Sequence, residues 1–525
     1  MTIRSMMAVA AVSFMAAPLY AQPYADMALD PPAVKTSAGP IAESTLGTYL
    51  TNVEKLLVFD LFQGRNGLLK SQADQSKLRI VADGFYTYAT SAELFGAARA
   101  DGPHFVYSAS IASLDAYATR LLVDLSQLSE GEEVFVVDST GPRAFGPYTQ
   151  SDHVEGGRWL PTTSGDNCVI LARSPHDTPP NLTVIGVSHF FEPFEDVLKE
   201  LSCNNPIACE GDSALQTTST GVGMLVIPQG QLYQALCSGS LLNNSDTPAF
   251  EPYYLTSWHC VPDAANANQV DVIWDWRASS CQNGNLPAIV NLPRSSGKQV
   301  LRTNSNLDLT LMELNSVPSG NLGRAYLGWE TRDPIVNEDI VSIHFPQGSA
   351  MKISYGTVQS INQSSAGFTK QTKVHWDDGV TEGGSSGSPL LLADSAYRVC
   401  GTLSNGPVHS CANTAGNVDW YSSFRDFFPQ IEGWLTGTNP PDPDPGLPPL
   451  CPAAKVLQDD PEMLENLRAF RDAGLKRIGF GAHAVELYYA IAPYLTPVAD
   501  YSESTRRAFR VAASPFAWMG GMLRS

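Results

Sequence analysis

Residues 383–389 read Gly383-Gly384-Ser385-Ser386-Gly387-Ser388-Pro389. Glycine beside a serine allows the backbone to turn tightly enough to point two N–H groups at one position, where they can stabilise an oxyanion. The pattern therefore indicates that Ser386 is a nucleophile and that the amides of Gly384 and Ser386 form its oxyanion hole. A Gly/Ser-rich loop without a catalytic role would have the same residue types, so this stretch alone leaves that alternative open.

Two further motifs lie upstream in the same β-rich segment. The run Leu255-Thr256-Ser257-Trp258-His259-Cys260 ends an apolar strand on a histidine, the usual general base for a serine hydroxyl. Asp308 lies at the mouth of a second apolar strand, where a buried carboxylate can fix the histidine tautomer. Alone, His259 could be a structural histidine and Asp308 a turn former. Their order, His259, Asp308, Ser386, is that of chymotrypsin-type triads and predicts a serine hydrolase.

The composition excludes several other classes of function. The 53 acidic residues outnumber the 33 basic ones, and a net charge of −20 argues against nucleic acid as a partner. The chain has neither an H-E-x-x-H motif nor a C-x-x-C pair, so we expect no metal site and no cofactor. Glycine and proline number 42 and 37, which favours turn-rich β structure over long helices.

The N-terminus has the features of a secretory signal peptide. Arg4 precedes an apolar run from Met6 to Ala17, and a small-residue cleavage site follows, with cleavage expected after Ala21. The run is shorter than the ~20 residues that a spanning helix needs, so we expect no membrane-spanning segment. Residues 1–21 therefore predict export to the periplasm or beyond. Disulfides are permitted there, so the nine cysteines are expected to form a disulfide framework with at least one left over.

The rest of the chain divides into four segments by composition. Residues 22–199 contain short apolar stretches separated by turn residues, which predicts a β-sandwich-like domain. Residues 200–436 are again β-rich and long enough for two small barrels. The proline-rich run 437–450 predicts an extended linker, and residues 451–525 have the spacing of a small helical module. The expected fold class is therefore mainly β, with a helical module at the C-terminus.

Residues from about 198 to 435 resemble the trypsin-like serine proteases, and more narrowly the secreted bacterial lysyl endopeptidases. The resemblance is carried by five motifs in order, at residues 203–212, 237–244, 256–260, 381–389 and 403–411. It implies a trypsin-like double β-barrel and a protein or peptide substrate. It also implies three disulfides: Cys203 with Cys411, Cys209 with Cys281, and Cys237 with Cys260. Cys168, Cys400 and Cys451 stay unassigned, and Cys400 is expected to be a buried thiol.

The sequence departs from the pancreatic-type enzymes at two positions. Ser385 occupies the place of the aspartate that pairs with the new N-terminus on activation, so that salt bridge cannot form. Val380 occupies the place of trypsin's substrate-binding aspartate. The lysyl endopeptidases instead bind the P1 lysine through an aspartate some thirty residues after the serine, past a Gly-Pro turn. The resemblance implies that Asp419 takes this role here, with Gly406 of the turn beside it.

Other interpretations of the pocket and of the whole segment stay open. Arginine is an alternative to lysine at P1. If His409 were the pocket residue, the enzyme would select glutamate, although the family's own pocket histidine aligns nearer Ser404. Asp419 could instead be a structural surface residue. The main non-enzymatic alternative is a protease fold that has become a catalytically inactive binding module.

The flanking segments resemble parts of secreted bacterial proteins. The β-rich segment before Cys203 resembles the propeptide-like regions found in front of such proteases, which implies a zymogen. A carbohydrate- or surface-binding sandwich that stays attached is the alternative. The tail resembles short modules that begin with a cysteine and continue with a string such as Leu467-Arg-Ala-Phe-Arg-Asp472. Weak association with a cell surface through this tail is an expectation of the same kind.

Overall fold

The computed structural model describes residues 28–29, 55–73, 79–138, 144–154, 156–193, 200–229, 232–245, 250–281 and 284–437. The predicted signal peptide, the linker beyond Gly437 and the helical module lie outside these residues. Lys199, the last residue of the predicted N-terminal domain, also lies outside them. The domain boundaries therefore remain predictions.

The N-terminal part of the described chain consists almost entirely of strands. Its helices are α1 (Asn66–Ala73) and α2 (Ser91–Leu94). Its strands are β1 (Ala28–Leu29), β2 (Lys55–Phe59), β3 (Arg79–Thr90), β4 (Arg99–Asp101), β5 (His104–Ser113), β6 (Ala118–Asp124), β7 (Glu133–Asp138), β8 (Ala144–Tyr148), β9 (Arg158–Trp159), β10 (Thr163–Ser164), β11 (Asn167–Ser174) and β12 (Thr183–Phe190).

These strands form a two-layer sandwich, as the turn-separated apolar stretches predict. One layer has the order β10-β6-β12-β3, and the other has the order β2-β5-β11-β7-β8. Alternate residues of each layer face one shared core, which includes Leu121 and Val187 from the first layer and Ile111, Val136 and Ile170 from the second. The predicted β-sandwich is confirmed.

The second part of the described chain contains the remaining strands and three helices. The helices are α3 (Ser213–Ser219), α4 (Ala264–Ala267) and α5 (Phe424–Thr436). The strands are β13 (Asn205–Pro206), β14 (Val222–Gln229), β15 (Tyr233–Leu241), β16 (Tyr253–Thr256), β17 (Asp271–Ile273), β18 (Arg294–Asn304), β19 (Leu309–Leu314), β20 (Trp329–Glu330), β21 (Asp339–His344), β22 (Lys352–Ser365), β23 (Phe368–Asp378), β24 (Pro389–Leu392), β25 (Val399–Asn405) and β26 (Val418–Ser423).

Two closed antiparallel barrels of six strands follow one another along the chain. The first barrel has the order β15-β14-β17-β18-β19-β16 and closes through β15 and β16. The second has the order β25-β24-β21-β22-β23-β26 and closes through β25 and β26. Closure pairs every edge strand, which is how small barrels avoid exposed backbone donors. The predicted double β-barrel is confirmed.

The hydrophobic pattern of the strands explains why the two barrels pack together. Strand β14 is buried on both faces: Leu225 and Ile227 belong to the interior of the first barrel. Met224 and Val226 belong to a different cluster, which also contains Val341 and other residues of the second barrel. Because successive side chains of a strand point to opposite faces, a continuous apolar strand fills both the barrel and the layer between the barrels.

The N-terminal sandwich is joined to the first barrel by direct strand pairing. Strand β3 pairs antiparallel with β15, with Ala82 opposite Gln234 and Arg79 opposite Leu236. We call this junction between β3 and β15 the seam. Beside the seam the guanidinium of Arg120 is fully buried and donates to Gln234 Oε1 (2.8 Å) and to the carbonyl O of Gln269 (2.6 Å). The sandwich and the barrel therefore share one continuous sheet.

Candidate active site

The nucleophile loop, defined here as residues 380–388, lies between strands β23 and β24 of the second barrel. Two of its glycines have left-handed backbone, with φ of +95° at Gly384 and +84° at Gly387. A Cβ on Gly387 would lie 2.2 Å from the carbonyl O of Ser238 and 2.3 Å from Oγ1 of Thr256. Glycine is therefore required where the loop presses against the first barrel, and it leaves Ser386 half-buried at the surface of the turn.

The peptide planes of this loop have fixed orientations. The carbonyl O of Gly383 accepts from the N–H of Gln347 (2.6 Å), and the carbonyl O of Ser385 accepts from the N–H of Ser388 (3.0 Å). In a trans peptide the N–H points away from the carbonyl, so the amides of Gly384 and Ser386 face the opposite side. Among the described residues neither amide donates a hydrogen bond, which leaves both available to an oxyanion.

His259 and Asp308 are held together at the mouth of the first barrel. His259 Nδ1 lies 2.9 Å from Oδ2 and 3.0 Å from Oδ1 of Asp308, and the backbone N–H of His259 also donates to Oδ1 (2.9 Å). The carboxylate is fully buried, whereas the imidazole is 20% exposed. The carboxylate therefore orients the ring and leaves Nε2 as the nitrogen that can act as a base.

Ser404, to which the sequence assigns no role, is a third residue in contact with this pair. Its Oγ donates to Asp308 Oδ2 at 2.6 Å, and both side chains are buried. The only signal in the sequence was that Ser404 aligns near the family's pocket histidine. A serine has no recognisable pattern for such a role, because the bond depends on how β25 of the second barrel approaches the first.

Ser238 forms hydrogen bonds both to strand β16, which precedes His259, and to the nucleophile loop. The N–H of Ser238 donates to the carbonyl O of Ser386 (2.7 Å), and its own carbonyl O accepts from Thr256 Oγ1 (2.8 Å). Its hydroxyl donates to the carbonyl O of Gly384 (2.9 Å). Strand β15 of the first barrel thus brings Ser386 beside the strand end that carries His259.

The three predicted cysteine pairs are joined as disulfides, Cys203–Cys411, Cys209–Cys281 and Cys237–Cys260. These are the pairs that the family resemblance implies. Cys237 and Cys260 lie close to His259 in a group with the spacing of a metal site, but both sulfurs are used in the disulfide and offer no thiolate. Cys168 and Cys400 are free and buried, as expected for Cys400.

Asp419 is a buried carboxylate next to the nucleophile loop. Its Oδ2 accepts from Trp376 Nε1 (2.5 Å) and from Thr381 Oγ1 (2.6 Å). Its Oδ1 faces Nε2 of His409 at 3.3 Å and has no closer hydrogen-bond partner among the described residues. A Cβ on Gly406 would lie 1.7 Å from Oδ1, so only glycine fits there. Asp419 and Gly406 are thus neighbours, as the resemblance implies.

His409 is buried against the same carboxylate. Its Nδ1 lies 2.7 Å from the carbonyl O of Thr381, so Nδ1 carries the proton. Nε2 can then bind Asp419 only when it is protonated too. Burial alone would lower the pKa of His409, but contact with the charged Asp419 outweighs it and raises the pKa above 6.5.

The N-terminal sandwich reaches the edge of the nucleophile loop. A Cβ placed on Gly383 would lie 3.6 Å from Cβ of Arg79, the first residue of β3. Arg79 forms a buried ion pair with Glu192, which lies just beyond β12. The sandwich therefore lies beside the nucleophile loop as well as on the first barrel.

Sequence comparisons agree with this architecture. Residues 199–422 match the family model described as lysyl endopeptidase, C-terminal domain. A lysyl endopeptidase of Pseudomonas aeruginosa is 30% identical over 297 residues, which cover 53% of this chain and 63% of that protein. The chain thus spans somewhat less than two thirds of this relative. The predicted resemblance is confirmed: the segment that forms the double barrel is similar in sequence to the lysyl endopeptidases.

Comparison with solved structures gives only weak overall similarity. The active form of a protease from M. tuberculosis has a TM-score of 0.31 and 16% identity, and covers 46% of this chain and 92% of its own. A serine endoprotease from Yersinia pestis has a TM-score of 0.30 and 14% identity, and covers 43% and 66%. The fold assignment depends on the closed barrels and the sequence matches instead.

Proposed function

We propose that the chain is a secreted serine endopeptidase that hydrolyses peptide bonds with His259, Asp308 and Ser386 as its catalytic triad. The observation that carries the proposal is the pair of free amides at Gly384 and Ser386 in a loop fastened beside the His259–Asp308 pair. These are the parts that acyl transfer needs: a nucleophile, an oriented base and donors for the oxyanion.

The reaction proceeds in two halves. Ser386 Oγ attacks the carbonyl carbon of the substrate while its proton passes to Nε2 of His259, and the carbonyl oxygen becomes an oxyanion bound by the two amides. The C–N bond then breaks as His259 returns the proton to the leaving amine. In the second half, water attacks the acyl-enzyme in the same way, with His259 again taking up and returning the proton, and Ser386 is released. Asp308 stays ionised and stabilises the imidazolium, and Ser404 adds a donor to that carboxylate.

The pocket favours a cationic side chain at P1, and lysine is the expected residue. Asp419 is a buried carboxylate with one oxygen that lacks a close donor, so an ammonium group would find both charge and a hydrogen-bond acceptor there. The relative from Pseudomonas aeruginosa is described as a lysyl endopeptidase. Arginine is the alternative at P1, because its longer side chain could bring the guanidinium group to the same oxygen.

Selection of glutamate is less compatible with these contacts. Nε2 of His409, the atom that would bind a P1 carboxylate, faces Asp419. A second carboxylate in the pocket would be repelled by the first. These contacts therefore favour a role for His409 as a partner of Asp419, and not as the residue that selects the P1 side chain.

Secretion is part of the proposal. It is supported by the signal-like N-terminus and by three disulfides, which persist in oxidising compartments. Among the residues that the structure describes, no helix is both long and apolar enough to cross a membrane.

The proposal is tested by labelling and turnover of purified full-length chain. A biotinylated fluorophosphonate should label the wild type but not Ser386→Ala, and the unlabelled wild type should cleave a peptide library after lysine. Peptides with Lys, Arg, Glu or Phe at P1 then separate the specificities. Equal labelling of both proteins would contradict the triad. A wild type that neither labels nor cleaves any of these peptides would instead indicate an inactive protease-fold module.

A further inference from the structure

The residue before the proposed nucleophile is anchored to a buried histidine. Ser385 Oγ lies 2.8 Å from Nδ1 of His344, at the end of β21, and both side chains are fully buried. In the pancreatic-type enzymes an aspartate at this place pairs with a new N-terminus. Here the position is neutral, and its partner comes from the body of the second barrel.

His344 belongs to a chain of hydrogen bonds that has only one consistent direction. Ser354 Oγ donates to the carbonyl O of Val380 (3.1 Å), so it must accept from Nε2 of His344 (3.0 Å). Nδ1 is then unprotonated and accepts from the hydroxyl of Ser385. Ser385 Oγ in turn accepts from the backbone N–H of Glu382 (3.2 Å). Every group is satisfied when His344 is neutral.

The surroundings of His344 favour that neutral state. Burial lowers the pKa of His344 to about 3, and the positive charges of Lys352 and His409 act in the same direction. Lys352 is itself paired with Glu200 at 2.8 Å. The side chain therefore keeps one tautomer across the working pH range, which a fixed hydrogen-bond chain requires.

Both ends of this chain lie in the nucleophile loop just before the oxyanion amides. One end is the carbonyl O of Val380, the other is the N–H of Glu382, and Ser385 itself lies between Gly384 and Ser386. The backbone at Ser385 is also tied to Glu382, whose carbonyl O accepts from the N–H of Ser385 (2.9 Å). Loss of the side-chain bond would remove one of the restraints on the peptide planes on either side of Ser385, and only the backbone bonds and the contact with Ser238 would remain.

We propose that His344, acting through Ser385, is a positioning residue that holds the oxyanion amides in place without any contribution from a new N-terminus. This inference rests on the proposed function, since it names what orients that site. His344 touches no reacting atom. It supports the loop in the same way whether or not the chain has been cut.

The test compares Ser385→Ala and His344→Leu with the wild type. Losing one oxyanion-hole donor costs roughly 10²–10³ in kcat, and loosening the loop should cost less, roughly 10- to 100-fold in kcat, with KM little changed. His344→Asn, which keeps an acceptor near Nδ1, should recover part of the loss. The double variant should be no worse than the poorer single one, because both act through one bond. Ser295→Ala, another buried serine bound to Trp274 Nε1 at 2.8 Å, is the matched control.

A second readout separates positioning from ordinary stability. A peptide aldehyde ending in lysinal binds through an oxyanion-like adduct on Ser386 Oγ, whereas butylamine only fills the pocket of the P1 cation. Ser385→Ala should weaken the aldehyde about as much as it lowers kcat and leave the affinity for butylamine unchanged.

The outcomes are distinct from those that test the proposed function. If the wild type neither labels nor cleaves, the proposed function is wrong. If the wild type is active but Ser385→Ala keeps full kcat, or loses affinity for both ligands equally, the positioning role of His344 is wrong. Equal kcat in His344→Leu and the wild type would overturn it as well.

Discussion

Nε2 of His409 lies 3.3 Å from Oδ1 of Asp419, and both side chains are almost completely buried. A protonated His409 neutralises the carboxylate that the P1 lysine is proposed to use. The substrate ammonium and the His409 proton therefore compete for the same negative charge. His344 is a further titratable group whose charge interacts with that of His409, and it is neutral at working pH.

The first prediction is that KM for a lysine substrate increases as pH falls through the raised pKa of His409. Competition with one proton limits this increase to about tenfold per pH unit. In His409→Gln the side chain can still donate to Asp419 but cannot titrate, so KM should lose this dependence and be lower at acid pH. His375→Gln, at a partly exposed histidine of the same barrel, is the control. Identical KM profiles in wild type and His409→Gln would contradict the competition.

The same contact has a consequence for stability. The pKa of His409 is raised in the folded state, so the ion pair stabilises the fold fully below the unfolded-state pKa. This stabilisation disappears as pH rises through the folded-state pKa. Urea unfolding of His409→Gln should therefore differ from wild type at acid pH and converge with it at alkaline pH.

The second prediction concerns Asp419→Asn. Truncating one partner of a buried charge pair costs about 2–5 kcal/mol, so kcat/KM after lysine should fall by roughly 30-fold or more. Cleavage after neutral residues, which make no ion pair, should change little. Asp339→Asn replaces an exposed aspartate on β21 and serves as the control. A uniform loss for all P1 residues would assign Asp419 a structural role.

The third prediction ranks the groups around the imidazole. Asp308→Asn should lower kcat on the order of 10⁴-fold, because the histidine tautomer is no longer fixed. Ser404→Ala removes one hydrogen bond to a charged group, worth about 1.5–3 kcal/mol, so a loss of roughly 10- to 100-fold is expected. Initial rates with one lysine ester measure both. Equal kcat in Ser404→Ala and wild type would mean that the bond to Asp308 is dispensable.

The sequence predicts the architecture well where motifs are local. The glycines around Ser386 indicate a turn that only glycine can make. The apolar strand before His259 and the apolar strand after Asp308 indicate that both residues lie at a barrel mouth. Ser404, His344 and the contact between His409 and Asp419 were not predicted. Each depends on which strands become neighbours and in what register, and a serine or histidine in a strand has no local pattern that reveals its distant partner.

The fourth prediction is that the N-terminal sandwich stays bound after the chain is cut. Strand β3 pairs with β15, and the buried Arg120 forms hydrogen bonds across the seam, so breaking the covalent link leaves these contacts intact. The two pieces should co-elute in size-exclusion chromatography. Arg120→Leu leaves Gln234 without its partner and should release the sandwich, whereas Arg173→Leu, at a surface ion pair with Glu133, should not. Separation of the wild-type pieces at neutral pH would contradict this.

The fifth prediction is that the enzyme cuts itself after Lys199. Glu200, the residue that would become the N-terminus, forms a salt bridge with Lys352 at 2.8 Å, and the N–H of Leu201 donates to Glu382 Oε2 at 2.8 Å. The chain just after the cut is therefore already attached to the second barrel. With Ser385 in place of the activating aspartate, the new N-terminus is not needed to build the site. N-terminal sequencing of the secreted wild type should begin at Glu200, and Ser386→Ala and Lys199→Gln should both retain the N-terminal segment. If Ser386→Ala also begins at Glu200, another protease makes the cut. If Lys199→Gln is cut at another residue with the same yield as the wild type, the enzyme does not depend on a lysine at this site. That outcome would also weaken the assignment of Asp419 as the residue that binds the P1 lysine.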